Sequence, residues 1–267
     1  NDVRFLEEEL DMWYLRLIQK GWERFARQVN QEKPQISKAV AKQLSSLRVT
    51  ESLMESFITK LGLSEDIMKW DTSTLKRLAT ELRKVTKPML IACNKIDIPG
   101  AYENFERIKR EFPDIIMIQC SADMELALKE ANKNQLIKYI SGESNFEILN
   151  PEKLTEKQKN ALDYITTNIL KKYGSTGVQR ILDSAVFGLL GYIAIFPAGV
   201  GKLKDQFGNV LPDCFLMPPK TTALDFAFKL HTDIGNKFVK AIDVRTRKPV
   251  GKDYELRNGD MIEILTS

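Results

Sequence analysis

Histidine is nearly absent: one residue, His231, in 267. A metal centre built from several imidazoles, or an HD-type phosphohydrolase site, needs more than that. Cysteine is scarce too. Cys93, Cys120 and Cys214 lie far apart and form no CxxC pair. That excludes a disulfide scaffold and a cysteine-based zinc site, and it fits a reducing, cytoplasmic setting. A phosphate-cradling GxxxxGK[ST] loop is also missing. The nearest approach, Gly201-Lys202, has Phe196 where the first glycine belongs and Leu203 where Ser or Thr would meet Mg2+. No basic start runs into an apolar core, so no signal peptide is read. A first residue of Asn1 rather than Met raises the expectation of a removed N-terminal segment.

Long apolar runs are rare as well. One, from Ser184 to Gly201, carries no charge. Gly188, Gly191, Pro197, Gly199 and Gly201 interrupt it, which argues against a membrane span. A buried helix end followed by a short strand near Tyr192–Phe196 is predicted instead.

What is present is globular. Hydrophobic residues make up 43% and charged residues 28%, near the average, so wholesale disorder is excluded. The formal net charge is only +4, but it is uneven. From Arg16 to Arg48 eight basic residues face two acidic ones. Leu6, Leu10, Trp13 and Leu17 recur at helical spacing and predict a packed seam. Arg16, Lys20, Arg24 and Arg27 recur on another face. Pro34 disfavours helix at Lys33, after which Ile36, Val40, Leu44 and Leu47 restore the period. Two antiparallel helices with a short basic turn are predicted, the first of about 25 residues and nearly 40 Å. Arg16, Lys20, Arg24, Arg27, Lys38 and Lys42 form either a solvated charged face or a contact for RNA or the ribosome. Further helices are predicted from Glu51 to Leu61, capped by Thr50 and closed by Gly62, and from about Thr74 to Val85, capped near Asp71 or Thr72.

The pattern changes at residue 88. Met89–Cys93 reads as a buried strand, Ala101–Phe112 as a helix with Phe105 and Ile108 inward, and Ile115–Cys120 as a second buried strand. Such a βαβ unit has parallel strands, and ligands bind beyond their carboxyl ends. The first strand runs into Asn94-Lys95-Ile96-Asp97 and the second into Ser121-Ala122. Guanine presents an N1–H and a 2-amino group side by side, and the two oxygens of Asp97 can accept both. The backbone N–H of Ala122 can serve guanine O6. The Lys95 stem can lie along the base, and Asn94 can tie its loop to the neighbouring one. Adenine would leave the Asp97 charge unpaired, a mismatch that can reach roughly 10⁴-fold. The bland alternative for Asp97 is a turn residue before Ile98-Pro99-Gly100.

KPMLIACNKID followed by IIMIQCSADMELAL resembles the guanine-recognition half of a translation-factor-type P-loop GTPase. The SADMEL segment and the basic helical hairpin upstream are similar to the Obg-like/YchF group. Some members of that group depart from NKxD and prefer ATP; Asn94, Lys95 and Asp97 here imply GTP and GDP. The resemblance places the phosphate loop and Mg2+-binding parts upstream of the hairpin, before Asn1. The complete protein is then expected to hydrolyse GTP, with Mg2+, while this chain alone holds no catalytic or metal-ligating residue and should be inactive.

Leu154, Leu162, Ile165 and Ile169 mark a helical stripe. The last third reads as a small separate module: a helix at Thr222–His231, a strand at Phe238–Val244 and an Asn258-Gly259 turn before a terminal strand. One helix over a few strands is a β-grasp, ubiquitin-like layout. ALDFAFKLHTDIGNKFVKAIDV and DYELRNGDMIEILT closely resemble a TGS domain, which implies RNA or ribosome contact. His231 reads as a helix-end residue packing the module.

The expected fold is α/β: a partial P-loop GTPase sheet with an inserted α-helical hairpin domain and a C-terminal β-grasp TGS domain. The expected boundaries are 1–87 for the helical hairpin, 88–200 for the C-terminal half of the GTPase domain and 201–267 for the TGS domain. The alternative function is a non-catalytic RNA- or ribosome-binding fragment that holds no nucleotide.

Overall fold

The computed structural model describes residues 2–201, 203–204, 207–211 and 213–267; Lys202, part of the apparent phosphate-loop match, lies outside them. The chain divides into two compact units, one ending at Met89 and one starting at Leu90.

The first unit is helical. It comprises α1 (Asp2–Gln19), α2 (Trp22–Glu32), α3 (Ile36–Gln43), α4 (Glu51–Leu61) and α5 (Thr72–Thr86). Local signals set the later boundaries. Thr50 accepts the Leu53 N–H at the start of α4, Gly62 ends that helix at φ +60°, and Asp71 caps α5 through Thr74 N–H. The long first helix does not form. Gly21, at φ +75°, separates α1 from α2, because a left-handed residue cannot continue a right-handed helix.

The packed face of α1 also differs from the predicted seam. Leu6, Trp13 and Leu17 are 45%, 42% and 38% exposed, whereas Tyr14, Leu15 and Ile18 are buried. Helix α5 explains the rotation. Its buried Arg83 donates to Asp11 at 2.7 Å and to Glu7 at 3.3 Å, Thr80 donates to Asp11, and Tyr14 meets Thr86 at 2.8 Å. Residues 7, 11, 14 and 18 therefore form the seam, one position on from the apolar series. Trp22 stacks on Trp70 with ring centroids 5.8 Å apart, and Val40, Leu44 and Leu47 complete the core.

The second unit begins with β1 (Leu90–Cys93), α6 (Ala101–Glu111), β2 (Ile116–Gln119) and α7 (Ala122–Lys133). Strands β1 and β2 pair in parallel, Leu90 opposite Ile116, as a helical crossover requires. A two-stranded ribbon follows, β3 (Ile137–Lys138) with β4 (Glu147–Ile148). Then come α8 (Glu156–Ile165), a π-helical turn at Thr166–Leu170, α9 (Lys171–Tyr173) and α10 (Val178–Asp183). Leu154, Leu162, Ile165 and Ile169 are all buried.

The apolar run after α10 is not a buried helix end. It forms a π-helical turn at Ser184–Leu189 with no buried residue, leaving Phe187 and Leu190 exposed. Its strand half lies where predicted, as β5 (Ile193–Pro197). Among the described residues no helix is long and apolar enough to cross a membrane.

Strand β5 enters a five-stranded sheet with β6 (Phe215–Met217), β7 (Phe238–Asp243), β8 (Lys248–Val250) and β9 (Met261–Thr266), in the order β6-β5-β9-β7-β8. Only the β5–β9 pairing is parallel. Helix α11 (Ala223–Leu230), capped by Thr222, buries Phe226 against Ile195, Ala241 and Ile262. This is the β-grasp arrangement. Gly259, at φ +86°, makes the turn before β9. His231 is exposed: rather than packing the module, its Nδ1 caps the short helix α12 (Thr232–Asn236) by accepting the Asp233 N–H.

Candidate guanine-reading site

The parallel pairing of β1 and β2 sends both strands out at one edge. Their following loops remain tied: Cys120 N–H donates to Cys93 O at 2.9 Å and Ile96 N–H to Cys120 O at 3.1 Å. Asn94, Lys95, Asp97, Ser121 and Ala122 all stand at this edge.

Asn94 is the clasp. Its Oδ1 accepts the Lys95 N–H at 2.8 Å and the Ala122 N–H at 3.0 Å, so one side chain holds both loops. Lys95 sits at φ +65°, a conformation costing roughly 1–2 kcal/mol for a non-glycine residue. Such strain persists where the surroundings over-determine it, and here the Asn94 bond does so. The Lys95 side chain is exposed.

Asp97 is half-buried. Its Oδ1 accepts the buried Ser121 Oγ–H at 2.6 Å. Ser121 thus orients the carboxylate, leaving Oδ2 and part of Oδ1 able to accept two side-by-side donors. Ala122 is the first residue of α7, with Asp123 next. The Ala122 N–H, read above as the donor for guanine O6, is already engaged by Asn94. An O6 atom would have to share it or take the next amide of the helix's first turn, where a partial positive charge also favours oxygen.

Several supports lie outside the motifs. Tyr164 OH and Tyr173 OH reach the backbone carbonyls of Asp97 and Ile96, each at 3.5 Å. A cavity of about 440 Å³ opens there, bordered by Asp97, Ile98, Tyr102, Tyr164, Lys172 and Tyr173. Thr176 O accepts the Ser121 N–H at 2.9 Å. No local signal in the sequence pointed to Tyr164, Tyr173 or Thr176, which lie more than fifty positions from the loops they touch.

Burial pushes the Cys93 and Cys120 thiols up, Cys120 further raised by the charge of Cys93. A raised thiol pKa disfavours the thiolate form. Among the described residues no group of three His, Cys, Asp or Glu could hold a metal ion.

The basic residues of the first unit, Arg16, Lys20, Arg24, Arg27, Lys38 and Lys42, are all exposed. The turn at Gly21 divides the expected row of four. Arg24 and Arg27 border a hollow of about 610 Å³ beside Gly21 and Trp22, and Arg27 meets Glu23 at 3.5 Å.

Residues 92–199 match the G4 motif-containing domain of Obg-like GTPases of the YGR210-like kind, and residues 201–266 match the TGS domain. Over its full 267 residues the chain is 45% identical to an uncharacterized GTP-binding protein of Methanocaldococcus jannaschii, of which it spans 66%. Over 233 residues, 83% of the chain, it is 27% identical to an uncharacterized GTP-binding protein of Schizosaccharomyces pombe, of which the match covers 56%. The crystal structure of a GTP-binding protein from Pyrococcus horikoshii aligns with all of the chain and 71% of its own, at 39% identity and a TM-score of 0.76. The Schizosaccharomyces pombe YchF GTPase, at 15% identity and a TM-score of 0.52 over 99% of this chain and 65% of its own, is alike in fold alone. The chain therefore spans less than two thirds of the length of the curated relatives it matches.

Proposed function

The chain belongs to the Obg-like GTP-binding family, and from that premise we propose that it supplies the guanine-reading half of a cytoplasmic GTPase acting on RNA or the ribosome. Asp97 accepts the N1–H and 2-amino group of the base. The Lys95 stem covers one face. O6 takes an amide at the start of α7, and Asn94 holds the two loops in register. The observation that carries this reading is the 2.6 Å bond from Ser121 Oγ to Asp97 Oδ1, which aims a carboxylate edge outward from a strand-end loop, where α/β sheets bind ligands. The names of the Methanocaldococcus and Pyrococcus relatives support the same nucleotide.

Binding titrations of the full-length protein with GDP and ADP test it. GDP should bind at least about 100-fold more tightly, because adenine leaves a buried-facing charge unmatched. Equal affinities would reject the base assignment. The chain by itself should bind GTP weakly and without turnover, since the backbone amides and lysine that normally grip the phosphates are missing from it. Hydrolysis and Mg2+ belong to the full-length protein.

RNA contact through Arg16, Lys20, Arg24, Arg27, Lys38 and Lys42, with the TGS domain as a second surface, is the other part of the proposal. The exposed cations support it. Replacing Arg24 and Arg27 by Gln should flatten the dependence of log affinity for RNA or ribosomes on log salt by about one to two units. Thermal stability should barely change, because exposed charges contribute little. Ile18→Ala should do the reverse, losing stability at the packed face of α1. An unaltered slope in the double variant would return these residues to a solvated helix surface.

A further inference from the structure

Glu125 is 5% exposed, Thr176 and Ser121 each 1%, and together with Tyr139 they form a buried polar group behind the base-reading loops. Glu125 Oε2 accepts the Thr176 hydroxyl at 2.6 Å and the Tyr139 hydroxyl at 2.8 Å. Thr176 O in turn accepts the Ser121 N–H at 2.9 Å, and Ser121 Oγ donates to Asp97 Oδ1 at 2.6 Å. Three hydrogen bonds, joined through the covalent frames of Thr176 and Ser121, thus link the buried carboxylate to that of Asp97.

The turn carrying Thr176 is seated closely. A Cβ on Gly177 would lie 2.1 Å from the Gln119 carbonyl oxygen and 3.0 Å from Cys120 Cα. That leaves the turn no slack against the end of β2. Burial, then the Glu125 carboxylate it bonds, push Tyr139 up to about 12, so its hydroxyl remains a donor at neutral pH. Glu125 Oε1 finds no partner. A buried carboxylate oxygen left unmatched is a cost, and it is hard to account for if the group only fills space.

We propose that Thr176, anchored by Glu125 and Tyr139, is a positioning residue for guanine specificity: it fixes Ser121 through its backbone carbonyl and thereby sets the angle at which Asp97 meets the base. This rests on the base assignment above. The hydroxyl of Thr176 holds the residue, and its carbonyl does the positioning. Loss of the hydroxyl lets the carbonyl shift by tenths of an ångström. Ser121 follows, and the paired acceptors of Asp97 lose their match to two fixed donors.

The test compares GDP with inosine diphosphate, which lacks the 2-amino group, in titrations of the full-length protein. A hydrogen bond to a charged group makes the parent prefer GDP by roughly 10- to 100-fold. Thr176→Val keeps the side-chain volume and removes the hydroxyl; it should lower that ratio about three- to tenfold. Thr176→Ser, which retains the hydroxyl, should keep it. A merely structural role would weaken both nucleotides alike or lower the melting temperature, with the ratio unchanged, and that result overturns the proposal. If Thr176→Val does not fold, Tyr139→Phe removes the other donor to Glu125 and is judged by the same ratio. Asp97→Asn separates the two layers. If it alters base choice while Thr176→Val does not, the positioning role falls alone. If Asp97→Asn leaves GDP binding intact, the base assignment falls, and this proposal with it.

Discussion

Replacing Asp97 with asparagine should cost the full-length protein roughly 10²- to 10⁴-fold in GDP affinity and turn its preference toward xanthosine diphosphate. The substitution conserves shape. Asparagine Oδ1 can still accept the Ser121 hydroxyl, now found at 2.6 Å from Asp97 Oδ1, so the side chain keeps its orientation. Its NH2 then stands where Oδ2 stood. Against guanine, this sets a donor facing donors. Against xanthine, the same NH2 meets a 2-oxo acceptor. Stability should hardly move, because Asp97 is only half-buried and its loops remain clasped by Asn94. Titrations of parent and variant with both nucleotides settle the matter, and equal GDP binding by the two proteins would remove Asp97 from the site.

A second large effect is expected at Gly177, with Gly174 as its internal control. Both glycines have nearly the same backbone conformation, φ +83° and +81°. Alanine at either position bears the same left-handed penalty, about 1–2 kcal/mol. Their surroundings differ. Nothing lies within 4 Å of a Cβ placed on Gly174, whereas one on Gly177 would strike the Gln119 carbonyl oxygen and the Cys120 backbone. Backbone atoms of a paired strand end cannot move aside as a side chain does, and overpacking adds about 1–3 kcal/mol. Gly177→Ala should therefore destabilise the protein by about 2–5 kcal/mol, Gly174→Ala by about 1–2 kcal/mol. The Gly177 variant should also loosen nucleotide binding, because its turn carries the Thr176 carbonyl bonded to Ser121. Denaturant melts of both variants measure the difference. Identical losses would mean that the turn does not press on the end of β2.

Much of this protein could be read from the chain alone, wherever a few neighbouring residues decide the outcome. Thr50, Asp71 and Thr222 each satisfy an amide three positions on, so the starts of α4, α5 and α11 are local facts. The short apolar runs on either side of α6 had to pair in parallel once a helix joined them, and that pairing alone carries Asn94, Asp97 and Ser121 to one edge. The face α1 would bury was another matter. It bears apolar residues at 6, 10, 13 and 17 and also at 14, 15 and 18, and periodicity cannot choose between two such faces. The choice was made by Arg83, some seventy residues away, which is buried with Asp11 and Glu7 as partners and turns the helix by one position to reach them. Glu125 lies in the SADMEL segment that the sequence already marked, but its meeting with Tyr139 and Thr176 was illegible for the same reason. Tyr139 and Thr176 are unremarkable residues in their own segments, and the meeting of all three depends on where three separate segments pack. A hydrogen bond between groups fifty residues apart leaves no mark on the spacing of either, so only the tertiary structure could bring them together behind Asp97.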